Sequence, residues 1–155
     1  MARIDPEGVP RLVGSTYPSP FDAPCRGREA LRLGEGAGLT QFGVNLVHVP
    51  PGAWSSQRHW HEKEDEFVYV LKGELVLVED GGETLLNTGD CAGFKAGDRN
   101  GHHLVNRSGV EATFLVVGSR VATDFGEYPD IDMQFARPEA PGRPPGYSRK
   151  DGTKY

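Results

Sequence analysis

The chain is short of the features that mark several large classes of protein. It has only two cysteines, Cys25 and Cys91, too few and too far apart for a disulfide framework or a zinc ribbon. Each reads as a small buried side chain in a reducing compartment. No apolar run approaches the roughly 18 residues that cross a bilayer, so no membrane partner is expected. The stretch Met1 to Pro10 has no apolar segment of signal-peptide type, and a cytoplasmic protein is the expectation. Basic residues are the minority, 17 against 22 acidic, a formal charge of −5 that offers nucleic acid no attraction. Nor is there an amphipathic helix of three turns or a repeat.

What the chain has in quantity is turn-forming residues, 21 glycines and 12 prolines among 155 residues, with 37% apolar. That mix predicts one domain of many short strands rather than a helical bundle. Thr40 to Val49 reads as a strand, with Phe42, Val44 and Leu46 on one face and Gln41, Gly43 and Asn45 on the other. Strands are also expected at Gln57–His61, Glu66–Lys72, Glu74–Glu79, Glu83–Asn87, His102–Asn106 and Ala112–Gly118, and turns at Asp80-Gly81-Gly82, Asn87 to Asp90 and Ala96-Gly97-Asp98. The expected fold is all-β, a single barrel or sandwich over residues 31–123, with irregular segments at 1–30 and 124–155. Both faces of Phe67 to Leu71 and of Leu75 to Val78 are apolar, which predicts that a homodimer partner or a terminal segment covers the outer one.

The chemistry concentrates in one stretch. Strand alternation puts His59 and His61 on one face, about 7 Å apart along the chain. Glu66 opens the next strand on the face of Val68 and Val70, where an unpartnered carboxylate is costly. A cation beside two histidines would be its partner. Imidazoles with one carboxylate suit Fe, Mn, Ni, Co or Zn better than Ca or Mg. Alone, a His-x-His on a strand is commonly only polar, but the His102-His103 pair brings a further imidazole one or two hairpins away. Gln57 shares the face of His59 and His61 and is a candidate to orient a ligand or touch a substrate. Trp54, Trp60, Tyr69 and Phe94 read as core or interface residues.

Gly52, His59, His61, Glu66 and Gly73, with six, one, four and six residues between them, resemble the first motif of the cupins. Gly89 with Lys95-Ala96-Gly97, and His102 with Asn106 after three intervening residues, resemble the second. The likeness extends through the surrounding strands from about residue 39 to 120. It implies a double-stranded β-helix, or jelly roll, holding one divalent transition metal ion on His59, His61, Glu66 and a histidine of the second motif. Lys95 stands where that motif usually has proline, and four residues rather than two separate Gly97 from His102. Either His102 or His103 could therefore be the ligand. The spacing to Asn106 and the face shared with Leu104 favour His102, leaving His103 as a polar neighbour of the site or of a substrate. Six-coordinate, such an ion would keep two positions for a small-molecule ligand. Cupins with this ligand set include dioxygenases, lyases, decarboxylases and isomerases. Stand-alone cupins with a similar Asn-Gly-His-His stretch and Asp-Gly-Thr-x-Tyr ending are sometimes described as sugar-phosphate isomerases. The resemblance implies a metal-dependent enzyme on a small oxygenated metabolite or, from another class, a binding or sensing cupin without turnover.

Overall fold

A computed structural model of the chain describes residues 3–155. In chain order the strands are β1 (Arg11–Val13), β2 (Glu29–Leu31), β3 (Phe42–Val49), β4 (Trp60–His61), β5 (Glu66–Lys72), β6 (Glu74–Glu79), β7 (Gly82–Asn87), β8 (Cys91–Phe94), β9 (His103–Val105), β10 (Ala112–Ser119), β11 (Phe125–Tyr128), β12 (Met133–Ala136) and β13 (Gly146–Ser148). A single helical turn, α1 (Leu33–Gly36), lies between β2 and β3. Among the described residues no helix is long and apolar enough to cross a membrane.

All strand pairs are antiparallel. They form a six-stranded sheet in the order β1-β2-β3-β10-β5-β8, a three-stranded sheet β7-β6-β9, and a four-stranded sheet β13-β12-β11-β4. The result is a jelly-roll β-barrel. Gly73, at φ 75°, turns the chain from β5 in the large sheet into β6 in the small one. A side chain there would need a left-handed backbone and would press on Ala112 at 3.1 Å.

Alternation along each strand sorts the side chains. Val68 and Val70 of β5 point inward with Val47, Val49, Leu75, Leu77, Leu86, Leu104 and Phe114, and form the core. Phe67, Tyr69 and Leu71 point outward and stay 43%, 40% and 46% exposed in the single chain. Cys25 is buried, whereas Cys91 is exposed, beside Tyr69 in the β5–β8 ladder. The inner face of β3 is the odd-numbered one, where buried Val47 and Val49 continue to Asn45 on the wall of the interior cavity.

The two terminal segments are more regular than their composition predicts. β1 and β2 extend the large sheet from its β3 edge, with Ala30 opposite Val47. The C-terminal segment forms β11, β12 and β13, and β11 pairs with β4 through Gly126 opposite His61 and Glu127 opposite Trp60. Proline and glycine dominate the links, so three- and four-residue strands leave little periodic signal. Packing against the barrel orders them: Tyr128, Met133 and Ala136 are buried. Arg58 locks this segment down, donating to both carboxylate oxygens of Asp130 at 2.8 and 2.6 Å and also to Asp80.

Candidate metal centre

The expected strand Gln57–His61 shrinks to Trp60–His61, but an isolated bridge sets the geometry just before it. His59 N donates to His102 O at 3.1 Å and His102 N donates to His59 O at 2.9 Å, so the two residues face each other across the barrel mouth. Their ring centroids lie 5.0 Å apart, and those of His59 and His61 5.1 Å apart. Glu66 begins β5 opposite Phe94 and Gly118, and its carboxylate enters the middle of the three rings. Oε2 of Glu66 is 3.3 Å from Nε2 of His102, 3.8 Å from Nε2 of His59 and 3.9 Å from Nε2 of His61.

The outer ring atoms decide what the inner ones can do. Nδ1 of His59 donates to Gln57 O at 2.9 Å, and Nδ1 of His61 donates to Asp124 Oδ2 at 2.8 Å. Each ring therefore carries a proton on its outer nitrogen and turns Nε2 toward Glu66. Burial, with the neighbouring His102 and His61, pulls the His59 imidazole down to about 3, so it is neutral. For His61 burial acts in the same direction, but the Asp124 bond and the Glu66 charge outweigh it and raise the group. Burial works to raise the Glu66 carboxyl, yet the His102 hydrogen bond and the surrounding imidazoles bring it to about 2. The Nε2 atoms of His59 and His61 thus face the Glu66 carboxylate at 3.8 and 3.9 Å, too far for hydrogen bonds among themselves, an arrangement that fits a cation. The donor set, nitrogen-rich with one carboxylate, fits a divalent transition metal.

His102, not His103, lies against Glu66. Nδ1 of His103 instead bonds Ser56 O at 2.9 Å, and its ring stands edge-on to Trp54 at 4.7 Å. Gln57 does not reach the cavity. It is buried and donates to Phe21 O at 2.7 Å, so it fastens the N-terminal segment instead of touching a ligand. The face predicted for it fails because the regular ladder begins only at Trp60.

Several residues of the site have no local signal in the sequence. Phe94 packs against the core as expected and also stacks flat on His102, centroids 3.5 Å apart at 2°, which brings it into the site. Phe135 of β12 lies 5.0 Å from His61, and Tyr128 of β11 lies 5.8 Å from His59. Glu64 and Asp124 form a second carboxylate cluster with His61, but each already has partners. Asp124 accepts from Lys63 N at 2.8 Å besides His61, and Glu64 is held by Arg137 and Val121 N. Asp124 is fully buried, and its role is to fix the His61 tautomer. In Asp124→Asn one amide must both accept from His61 and accept from Lys63 N, which a single carbonyl oxygen and an NH₂ cannot do together. Metal affinity of that variant is expected to fall about 10- to 100-fold, read by chelator competition.

The interior cavity measures about 710 Å³, within the range of small-metabolite sites, and its wall runs from Glu66 and the imidazoles to the N-terminal segment. A second cavity of about 350 Å³ reaches His59 and His61 from the side of β12 and β13.

The topology, with imidazoles and a carboxylate gathered at the barrel mouth, defines a jelly-roll β-barrel protein with a candidate metal site, and the comparisons with known proteins identify the family. Residues 45–118 match the family described as Cupin domain. A solved structure from Silicibacter pomeroyi, described as a sugar phosphate isomerase from a cupin superfamily, is 47% identical with a TM-score of 0.89, over 99% of this chain and 96% of that one. The chain belongs to the cupin superfamily. A structure from Acidithiobacillus ferrooxidans, described as a proposed sugar phosphate isomerase, is 28% identical with a TM-score of 0.70, covering 78% of this chain and 74% of that one. The polyketide cyclase RemF from Streptomyces resistomycificus, 23% identical over 77% of this chain and 79% of that one, shares the fold with a TM-score of 0.61. No curated protein matches the chain.

Proposed function

We propose that this cupin is a metal-dependent enzyme of isomerase type, acting on a small oxygenated metabolite of the sugar-phosphate kind. The observation that carries the reading is the convergence of three imidazole Nε2 atoms on the Glu66 carboxylate inside a cavity of metabolite size. His59, His61, Glu66 and His102 would hold the ion, one of Fe, Mn, Zn, Ni or Co. Bound there, the ion would act as a Lewis acid on substrate oxygens. Asp124 and the Gln57 carbonyl keep the Nε2 lone pairs of His61 and His59 directed inward. Phe94, Phe135 and Tyr128 surround the rings with apolar surface and limit water. The likeness to the Silicibacter protein favours isomerisation over the other chemistries of the superfamily.

The test is proton exchange. Protein purified without a histidine tag, with its metal content measured, is incubated with aldose and ketose phosphates in D₂O. Deuterium incorporation next to the carbonyl, lost in Glu66→Ala, is the expected result. Oxygen uptake by the Fe(II)-loaded protein without such exchange would replace isomerase by oxygenase chemistry. Binding of the sugar phosphates with neither reaction would replace it by a sensing role.

A further inference from the structure

Arginines in the cavity wall are paired, with one exception. Arg32 pairs with Glu35 at 3.2 Å, and Arg137 and Arg120 share Glu64 at 3.1 and 3.7 Å. Arg28 also lines the cavity, and its Nε is buried without any hydrogen-bond partner. Of the carboxylates closest to it in sequence, Asp22 accepts from Arg26 through Oδ2 at 2.8 Å, its Oδ1 being buried without a partner, and Glu29 accepts from Arg11 at 3.2 Å. Among the described residues no carboxylate pairs with Arg28. Backbone bonds hold the residue in place, with its N–H on Cys25 O at 3.2 Å and its carbonyl receiving Gly14 N at 2.8 Å. Two residues on, Ala30 packs into the core, so strand alternation sends Arg28 to the inner side of the wall.

Tyr17 feels the Arg28 charge, but burial pushes that phenol far up, and it stays neutral. Tyr17 in turn meets Tyr128 at 5.5 Å, and Tyr128 meets His59 at 5.8 Å, so the guanidinium and the imidazoles occupy neighbouring stretches of one aromatic wall. A guanidinium on the cavity wall with no side-chain partner in the protein is a place for a ligand oxyanion in that cavity.

We propose that Arg28 receives an oxyanion of the substrate, a phosphate monoester or a carboxylate, while the opposite end of the same molecule faces Glu66 and the imidazoles. The planar fork of a guanidinium matches either anion through paired N–H donors. The N-terminal segment is then part of the binding site, which explains why Gln57 is spent on fastening it at Phe21. The inference rests on the cavity being the substrate site, but not on which metal it holds.

Inorganic phosphate and malonate, titrated separately by calorimetry into the metal-containing protein, test it. Wild-type protein is expected to bind at least one of them, phosphate if the substrate is a phosphate ester and malonate if it is a carboxylate. Arg28→Gln should weaken that binding about tenfold or more, with Arg28→Lys recovering part of it. Arg107→Gln, which removes a surface charge paired with Glu83 outside the cavity, should bind as wild type. Failure of both anions to bind, unchanged binding in Arg28→Gln, or an equal loss in Arg107→Gln would overturn the proposal. Metal content is read in every sample. An Arg28-dependent anion site in a protein that holds no metal would therefore refute the metal centre and leave this inference standing.

Discussion

Glu66→Ala protein is expected to purify with little or no bound metal, and His59→Ala protein the same. The reason lies in what each residue contributes. Glu66 is the one negative charge among the inward-facing donors, and without it three imidazoles would have to hold a dication with no charge to balance it. Removing His59 leaves the charge but takes away a ring held on Gln57 O, from a residue joined to His102 by two backbone hydrogen bonds. Loss of an outer hydrogen-bond partner to a ligand typically costs about 10- to 100-fold in metal affinity, and loss of the ligand itself should exceed about 100-fold. His102→Ala should behave alike, whereas His103→Ala should keep its metal, since its Nδ1 serves the Ser56 carbonyl.

Elemental analysis and chelator competition read these affinities directly. A thermal measurement checks them independently. A ligand that binds only the folded chain stabilises it by mass action, about 2.7 kcal/mol at one hundred times its dissociation constant. EDTA should therefore lower the unfolding temperature of wild-type and His103→Ala protein and leave that of Glu66→Ala unchanged. Full metal retention in both Glu66→Ala and His59→Ala would remove the metal centre from the account, and retention in His102→Ala with loss in His103→Ala would exchange the two histidines.

How much of this was legible in the sequence depends on how local each feature is. The strands Glu66–Lys72 and Glu74–Glu79 were readable to the residue, because alternation and the flanking turns are contained in the segments themselves. Parity alone brought His59 and His61 to one side and set His102 with Leu104. β8 was not readable: Cys91-Ala92-Gly93-Phe94 is four residues long and interrupted by glycine, and it becomes a strand only because β5 offers it an edge. The same holds for β11 and β12, whose hydrogen bonds depend on β4 and on each other. Asp124 and Phe135 reach His61, and Phe94 and Arg28 reach the cavity, from positions 30 or more residues from the His59–His61 pair, through pairings no local pattern announces. The second motif illustrates the opposite case. Its two extra residues, within Asp98 to Gly101, are absorbed in a loop where Asn100 bonds Glu79 and Asp80 N, so the strand that follows keeps its inward side.

Glu64→Ala is expected to destabilise the fold by about 2 to 3 kcal/mol, with consequences for the site. Glu64 is only 4% exposed and joins three parts of the chain that are distant in sequence. Its Oε1 accepts from Val121 N at 2.9 Å, just beyond β10, and both oxygens accept from Arg137 at 3.1 Å, just beyond β12. Arg120 approaches at 3.7 Å. Truncation strands the Val121 N–H and frees two guanidiniums. Because both arginines are already more than a third exposed, they can rehydrate, which keeps the cost below the 3 to 5 kcal/mol typical of breaking a fully buried pair. Glu64→Gln should cost less, since its amide oxygen can still serve Val121. For a chain of this length the alanine variant should unfold about 5 to 10 °C lower. The decisive measurement is a urea-unfolding cycle with Arg137→Ala. A coupling of about 1 kcal/mol or more is expected if the pair fastens the β11–β12–β13 sheet to the barrel, and additive single effects would refute that. The site should register the loss as well. Asp124, which holds the His61 ring, lies between the two ends that Glu64 ties together, so weaker metal binding in Glu64→Ala should accompany its lower stability even though Glu64 itself gives the ion nothing.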